Sequence, residues 1–237
     1  MKTARRAVRF GGFTLIEMLV VIVIMLIVMA LMLPTLARML SRSRRMVCIS
    51  NTRQLAFAWF CYAGEHNNQI VSANTGGGCW VDNGNDTTAL TNGLLWPYLK
   101  EVKIYKCPGS RVNVPDVIRD QNRSVSLSGY MNGEGSKTET LSGILSLTRT
   151  LTFIEEYDNR GYLINSFAWG GAGQWVDTVG VFHDTGDNYG FADGHAEYRS
   201  YNNPSFLINV RGTHYVGVPA NDPDCNWVDA HIWPTRY

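Results

Sequence analysis

The sequence predicts an α+β protein in which a long N-terminal helix, transmembrane in its first half and a stalk in its second, packs on an antiparallel β-sheet. Three observations carry this prediction. An unbroken apolar run lies near the N-terminus, a helical pattern continues beyond it, and short Val-, Phe- and Tyr-rich segments punctuated by Gly and Asn fill the C-terminal part.

The apolar run comes first. From Met18 to Leu33 every side chain is apolar, and with "FTLIE" in front the segment begins at Phe13. At about 1.5 Å per residue it is long enough to cross a bilayer as a helix. Glu17 is the one ionisable residue inside it. A carboxylate there is unfavourable without a partner, so Glu17 signals a function rather than an acid merely tolerated at the interface. Lys2, Arg5, Arg6 and Arg9 precede the run with no acid among them. The positive-inside tendency then keeps this end in the cytoplasm and sends the rest across the membrane. An ordinary signal peptide cut after "VMA", Val28 to Ala30, is the rival reading. Its weakness is that the apolar run is long for such a segment and the helical pattern continues past the cut.

Beyond Pro34, residues Leu36, Leu40, Val47, Leu55, Ala58 and Tyr62 recur near the helical period, with Arg38, Arg42, Arg45 and Arg53 mostly on other faces. The helix therefore extends to about Gly64, roughly 75 Å from Phe13. Pro34 removes one backbone donor and is expected to kink this helix without ending it.

In the C-terminal part "VGVFH" (Val179 to His183) and "NYGFADGHAEYRSY" read as strands. Asp193-Gly194 is a two-residue hairpin signal between Asn188–Ala192 and His195–Tyr201. Further strand candidates are Leu151–Glu155, Tyr162–Asn165, Phe206–Val210 and His214–Val218, and "ALTNGLLWPYL" is a short helix or turn. Six of the seven tryptophans, Trp80, Trp96, Trp169, Trp175, Trp227 and Trp233, are assigned to the core or a subunit contact rather than to a sugar-binding face.

Charge separates the two parts. Residues 1–65 carry nine Lys/Arg against Glu17 and Glu65, whereas the remainder carries twelve against eighteen acids. The acidic part shows no concentrated basic face, which argues against a nucleic-acid partner. Five cysteines in an exported domain favour disulfides. Cys48 and Cys61 stand about 20 Å apart along one helix and cannot bridge each other. No C-x-x-C occurs, so zinc-ribbon and thioredoxin-like sites are excluded.

"GGFTLIEMLVVIVIM", with its basic leader, Gly12 before Phe13, Glu17, the apolar run and Pro34, resembles the N-terminus of type IV pilins and type II secretion pseudopilins. The resemblance implies a pilin-like fold. It also implies cleavage between Gly12 and Phe13 by a prepilin peptidase and methylation of the new Phe13 amine. The chain then divides into a leader, 1–12, a transmembrane and stalk helix, 13–64, and an extracytoplasmic domain, 65–237. Glu17 of one subunit would meet the cationic Phe13 amine of its neighbour, an interaction better suited to setting register than to adding stability. Glu17 and Pro34 become the assembly residues.

The segments "CISNTRQLAFAWFCYAGEHNNQI", "YKCPGS", "GYMNG" and "HDTGDNYGFADGH" are similar to a narrower group, the pilin-like proteins with an H-x9-DG motif, met here by His183, Asp193 and Gly194. That resemblance favours a Cys48–Cys107 disulfide, since both residues lie in matching segments, with Cys79–Cys107 close behind. Asp184, Asp187, Asn188 and Asp193 are oxygen donors that would suit calcium, which fixes a C-terminal loop in some pseudopilins, although short acidic residues before a hairpin are also turn formers. No other cofactor is implied. Asp222 and Asp224 in "PANDPDCNW" are a loop or a second acidic ligand set. A catalytic role for His183 with Asp193 would need a nucleophile and an oxyanion site, and the sequence identifies neither.

The implied function is that of a non-enzymatic structural subunit, held in the inner membrane with its N-terminus in the cytoplasm and polymerised into a pilus or secretion pseudopilus. Its partners are the prepilin peptidase, other pilin or pseudopilin subunits and an inner-membrane assembly platform. The alternative is a membrane-anchored adhesin or ligand-binding protein that uses the same leader for delivery.

Overall fold

The computed structural model describes residues 12–235, apart from 113, 134–137, 161–162, 172 and 220. Residues 1–11 of the expected leader, 1–12, lie outside the described residues. The chain forms two units, Met1–Leu40 and Ser41–Tyr237, and helix α1, Leu15–Glu65, runs through the boundary and through Pro34.

In the first unit α1 is apolar on every side, and its large side chains are exposed, Leu15 at 86% and Leu26 at 60%. A helix oily all round has no aqueous face and belongs in lipid or among other helices. It is long and apolar enough to cross a membrane.

In the second unit the same helix becomes one wall of a core. Its buried residues are Cys48, Thr52, Leu55, Ala56, Ala58, Trp59 and Ala63. This stripe differs from the one the apolar periodicity singled out, because Leu36, Leu40 and Val47 are exposed. Thr52 and Ala56 face Gly190 of the sheet, where a Cβ would lie 3.2–3.3 Å from them, so space rather than hydrophobicity selects the residue.

Two short parallel strands, β1 (Ser72–Thr75) and β2 (Cys79–Val81), follow the stalk. Then come α2 (Thr87–Thr91), α3 (Trp96–Leu99) and α4 (Asp116–Arg119), so "ALTNGLLWPYL" holds parts of two short helices. Asp86 caps α2 by accepting the Ala89 N–H. The main sheet is antiparallel, in the order β3 (Val125–Leu127), β4 (Leu151–Glu155), β6 (Gly186–Phe191), β7 (Ala196–Ser200). The protein is thus α+β, with a long N-terminal apolar helix and antiparallel sheet.

β4 and β6 are buried throughout, unlike β7, because both faces of the sheet are covered. On one face Phe153 joins Leu55, Trp59, Trp80 and Tyr105. On the other, Ile154, Tyr189 and Phe191 meet Trp169, Trp175, Val228 and Ile232. Each large side chain fully withdrawn from water contributes roughly 1.5–3 kcal/mol. Trp80, Trp169 and Trp175 are buried, while Trp96, Trp227 and Trp233 are half-buried against these clusters.

A small two-stranded sheet pairs β5 (Gln174–Trp175) with β8 (Val216–Gly217), which is all that is strand within His214–Val218. Phe206–Val210, read as a strand from its apolar residues, is instead part of helix α5 (Pro204–Val210). Asn203 accepts the Phe206 N–H and Pro204 sits in the first turn, a start signal that outweighs the β-branched content. Tyr162 is outside the described residues, and Leu163–Asn165 form no strand. Val179–His183 forms only isolated bridges, at Val179 and His183. Asp222 and Asp224 belong to no loop ligand set: Asp222 caps helix α6 (Pro223–Ile232), accepting the Asp224 and Cys225 N–H groups. Asp224 is buried and accepts from the Asn202 and Asn203 backbone.

β6 reaches the stalk through Gly190. A Cβ there would lie 3.2 Å from the Cβ atoms of Ala56 and Phe153 and 3.3 Å from Thr52 Cγ2. Replacing Gly190 by Val is therefore expected to destabilise the domain by about 1–3 kcal/mol through overpacking. Thermal unfolding of the detergent-solubilised chain, followed by tryptophan fluorescence, checks this, and an unchanged midpoint would show that the helix and sheet can separate at no cost.

Candidate functional sites at the helix start and around His183

The first site is the start of α1. Gly12 and Phe13 precede the helix in exposed, irregular backbone, and a Cβ at Gly12 would meet nothing within 4 Å. Thr14 and Glu17 form a reciprocal cap. The Thr14 N–H donates to Glu17 Oε2 at 2.8 Å, and the Glu17 N–H donates to Thr14 Oγ1 at 3.3 Å. The Thr14 hydroxyl also donates to Glu17 Oε2, at 2.7 Å. This is a capping box, and it satisfies donors that a helix start leaves open. Thr14 was missed as a functional residue, although its signal, T-x-x-E ahead of an apolar run, stands in "TLIE".

The second site surrounds His183, and it shows what the H-x9-DG residues do. Cys48 of the stalk is disulfide-bonded to Cys107 of "YKCPGS", while Cys79 is free. In a chain-entropy account a loop of 59 residues closed in this way contributes on the order of 4 kcal/mol. His183, only 1% exposed, places Nε2 3.1 Å from Cys107 Sγ and 3.4 Å from Glu155 Oε1. Glu155 Oε2 accepts the Asn188 N–H at 2.9 Å, so β6 fixes the carboxylate that faces the imidazole. Gly109 lets this happen. A Cβ there would stand 2.7 Å from the Phe182 carbonyl oxygen and 3.0 Å from His183 Cε1.

Asp193 and Gly194 lie beyond the opposite end of β6. The hairpin closes with a three-residue loop rather than a two-residue one. The Gly194 N–H donates to the Phe191 carbonyl and the Phe191 N–H to the His195 carbonyl. Gly194 adopts φ +88°, the left-handed position that a type I turn with a bulge requires. A Cβ at Gly194 would stand 3.4 Å from Phe57 Cα and Cδ2 on the stalk. Asp193 accepts from the His195 backbone and is bonded to its imidazole Nδ1. His183 and Asp193 are therefore not paired, and each end of β6 touches the stalk helix or its disulfide partner.

The four oxygen donors considered for calcium are not gathered into one site. Asp187 is buried and turned inward, accepting from the Val181 and Phe182 N–H groups at 2.6 and 2.8 Å and from the Tyr201 hydroxyl at 3.0 Å. Asp184 is exposed and accepts from the Ser41 hydroxyl. Asn188 is buried in β6, and Asp193 is in the hairpin loop. Asp187, a candidate ligand in the sequence, instead holds the segment entering β6 through these hydrogen bonds.

Burial and then the charge of Glu155 push Asp187 up to about 8. Burial alone would pull His183 down, but Glu155 and then Asp187 outweigh it and raise this imidazole above its ordinary value. Both groups hold a proton more tightly folded than unfolded, so both make stability fall as pH rises. For Asp187 the window runs from its ordinary 3.8 to about 8, and for His183 it begins at 6.5. Groups whose proton affinity is lowered act in the opposite sense outside the overlap, among them His231, lowered by burial, below 6.5, and Lys106, lowered to about 8 by burial, above that value. The denaturant midpoint of the disulfide-bonded chain is thus expected to fall between about pH 6.5 and 8, with a shallower slope in Asp187→Asn. Urea titrations across that range, read by fluorescence, test the sign.

Residues 9–33 match the family model of the prokaryotic N-terminal methylation motif. Neither a curated protein nor a solved structure matches the chain. The match covers the start of α1 described above and identifies a prepilin-type leader. With the apolar helix it supports anchoring in the inner membrane and processing by a prepilin peptidase, and it points to a structural subunit rather than an enzyme.

Proposed function

We propose that this chain is a structural subunit of a type IV pilus-like or type II secretion pseudopilus filament, cut after Gly12 and assembled through α1. The observation that carries the reading is the methylation motif at residues 9–33, lying across an exposed Gly12–Phe13 bond and a helix with no aqueous face. The H-x9-DG residues then serve the subunit's own architecture, pinning β6 to the stalk.

Assembly follows from the same helix. Its apolar surface is stored in lipid and passes to neighbouring helices with little change in exposure to water, so polymerisation needs a device that fixes stagger rather than one that drives burial. Glu17 is that device. In the single subunit its carboxylate is held by Thr14, which accounts for one of its oxygens, Oε2. Its other oxygen is left for the cationic amine of Phe13 on an adjacent copy. A correct stagger pairs the charges; a wrong one leaves both in an apolar surrounding.

The capping box makes the test selective. Glutamine at position 17 keeps the reciprocal cap but carries no charge, whereas alanine loses both. Both Glu17→Gln and Glu17→Ala are expected to insert in the membrane and to abolish ordered filaments, seen by electron microscopy of sheared fractions. Normal filament yield from Glu17→Gln would remove the charge-pair argument. Mass spectrometry of the mature chain should find its N-terminus at Phe13 bearing one methyl group, and a start at Leu31 would instead mean ordinary secretion.

A further inference from the structure

We propose that the dithiol form of the chain is a zinc site built from Cys48, Cys107, His183 and Glu155, and that the Cys48–Cys107 disulfide and the metal are alternative occupants of one position. The four residues come from the stalk, the "YKCPGS" turn, β4 and the segment before β6, and all are buried. Their ligand atoms lie within 4.8 Å of one another. Donors on a tetrahedron with zinc bonds of about 2.0–2.3 Å stand roughly 3.3–3.8 Å apart. His183 Nε2 is already 3.4 Å from Glu155 Oε1 and 3.1 Å from Cys107 Sγ. Reduction lets the two sulfurs separate to van der Waals distance, and the remaining pairs, all within 4.8 Å, need shifts of no more than about 1–1.5 Å to reach the tetrahedral spacing.

Two further observations point to a cation. Glu155 is 0% exposed, and its Oε1, the oxygen aimed at the cluster, has no hydrogen-bond donor in place, only the His183 ring nitrogen at 3.4 Å. A buried carboxylate oxygen without a donor is costly unless a positive charge faces it. The outer contacts are also those that a thiolate and a carboxylate ligand need. The Gly109 N–H donates to Cys107 Sγ at 3.2 Å, and the Asn188 N–H holds the far oxygen of Glu155. Such contacts orient metal ligands before the ion arrives.

The chemistry balances without a reductant, because the chain is synthesised with its thiols reduced. Zn2+ uptake releases one proton from each thiol and yields a dithiolate, imidazole, carboxylate site. Later oxidation transfers two electrons from the two thiolates to a disulfide-bonded acceptor. That acceptor becomes a dithiol by taking up two protons, and Zn2+ leaves. Zinc would thus hold the stalk, the turn and the sheet together until the covalent link replaces it.

The test uses the full-length chain in detergent, reduced anaerobically with a phosphine and titrated with Co2+ and then Zn2+. Expected are a tetrahedral cobalt spectrum with a thiolate charge-transfer band, one zinc per chain by native mass spectrometry, and protection of Cys48 and Cys107 from alkylation by at least tenfold. Cys61 and Cys79 should remain reactive. His183→Ala and Glu155→Gln should each weaken zinc binding by more than about tenfold, and the oxidised chain should bind none. Absence of the thiolate band, protection of Cys61 and Cys79 instead, or unchanged affinity in His183→Ala would overturn the proposal. X-ray absorption at the zinc edge of the wild-type chain needs no variant to fold: a shell of two sulfurs with nitrogen and oxygen supports it, and a shell lacking sulfur sinks it.

Discussion

The close approach of β6 to the stalk helix is the constraint on which the rest of the soluble unit depends. A strand can lie that near a helix only where side chains are absent or small, and Gly190 faces Thr52 and Ala56 at that point. Once the strand is there, its two flanks are fixed by contacts of different kinds. Before it, His183 packs on the sulfur of Cys107, which is bonded to Cys48 of the stalk. After it, Gly194 turns the chain in a left-handed conformation against Phe57. Arg45, one turn before Cys48, lies over the Tyr198 ring of β7 at 4.4 Å and extends the same contact sideways. A motif that looks catalytic by composition acts here as a mechanical fastening.

The buried charges near this fastening show how the domain tolerates polar groups in a thin core. Asp187 accepts three donors and organises the turn into β6. Arg123 is buried with its guanidinium over Trp80 and donates to the Val125 and Leu163 carbonyls. Lys106 is buried as well, and it donates to the Arg119 carbonyl at the end of α4. Each of these ionisable groups ties an irregular segment to a regular one. Loops without regular hydrogen bonding must still satisfy their backbone groups, and charged side chains do so at longer reach than neutral ones.

The membrane helix obeys a different logic. No polar face selects its neighbours, so apolar packing alone would accept many staggers. In the proposed filament, specificity would come from the few polar groups at its start, which are Thr14, Glu17 and, under the proposed processing, the amine of Phe13. The capping box keeps the carboxylate ordered in a single subunit, so that little side-chain freedom remains to be lost when a neighbour arrives.

Properties that depend on near neighbours in the chain were legible without a structure. The membrane helix, the strand Leu151–Glu155 and the β6–β7 hairpin all follow from periodicity or turn chemistry within a short window. Even the Thr14–Glu17 cap and the Asp222 start of α6 were written locally in "TLIE" and "NDPD". What tertiary structure alone decided were the meetings of distant segments. The stalk's buried face runs through Thr52 and Ala56 because a glycine 134 positions beyond Ala56 stands opposite them, and no hydrophobic period records that. Asp184, Asp187 and Asp193 are neighbours in sequence yet are sent to solvent, core and loop by a strand whose side chains alternate and whose ends lie far apart. Cys48, Cys107, Glu155 and His183 share no spacing pattern, and only the folding of four segments onto one another brings them within reach of a single ion.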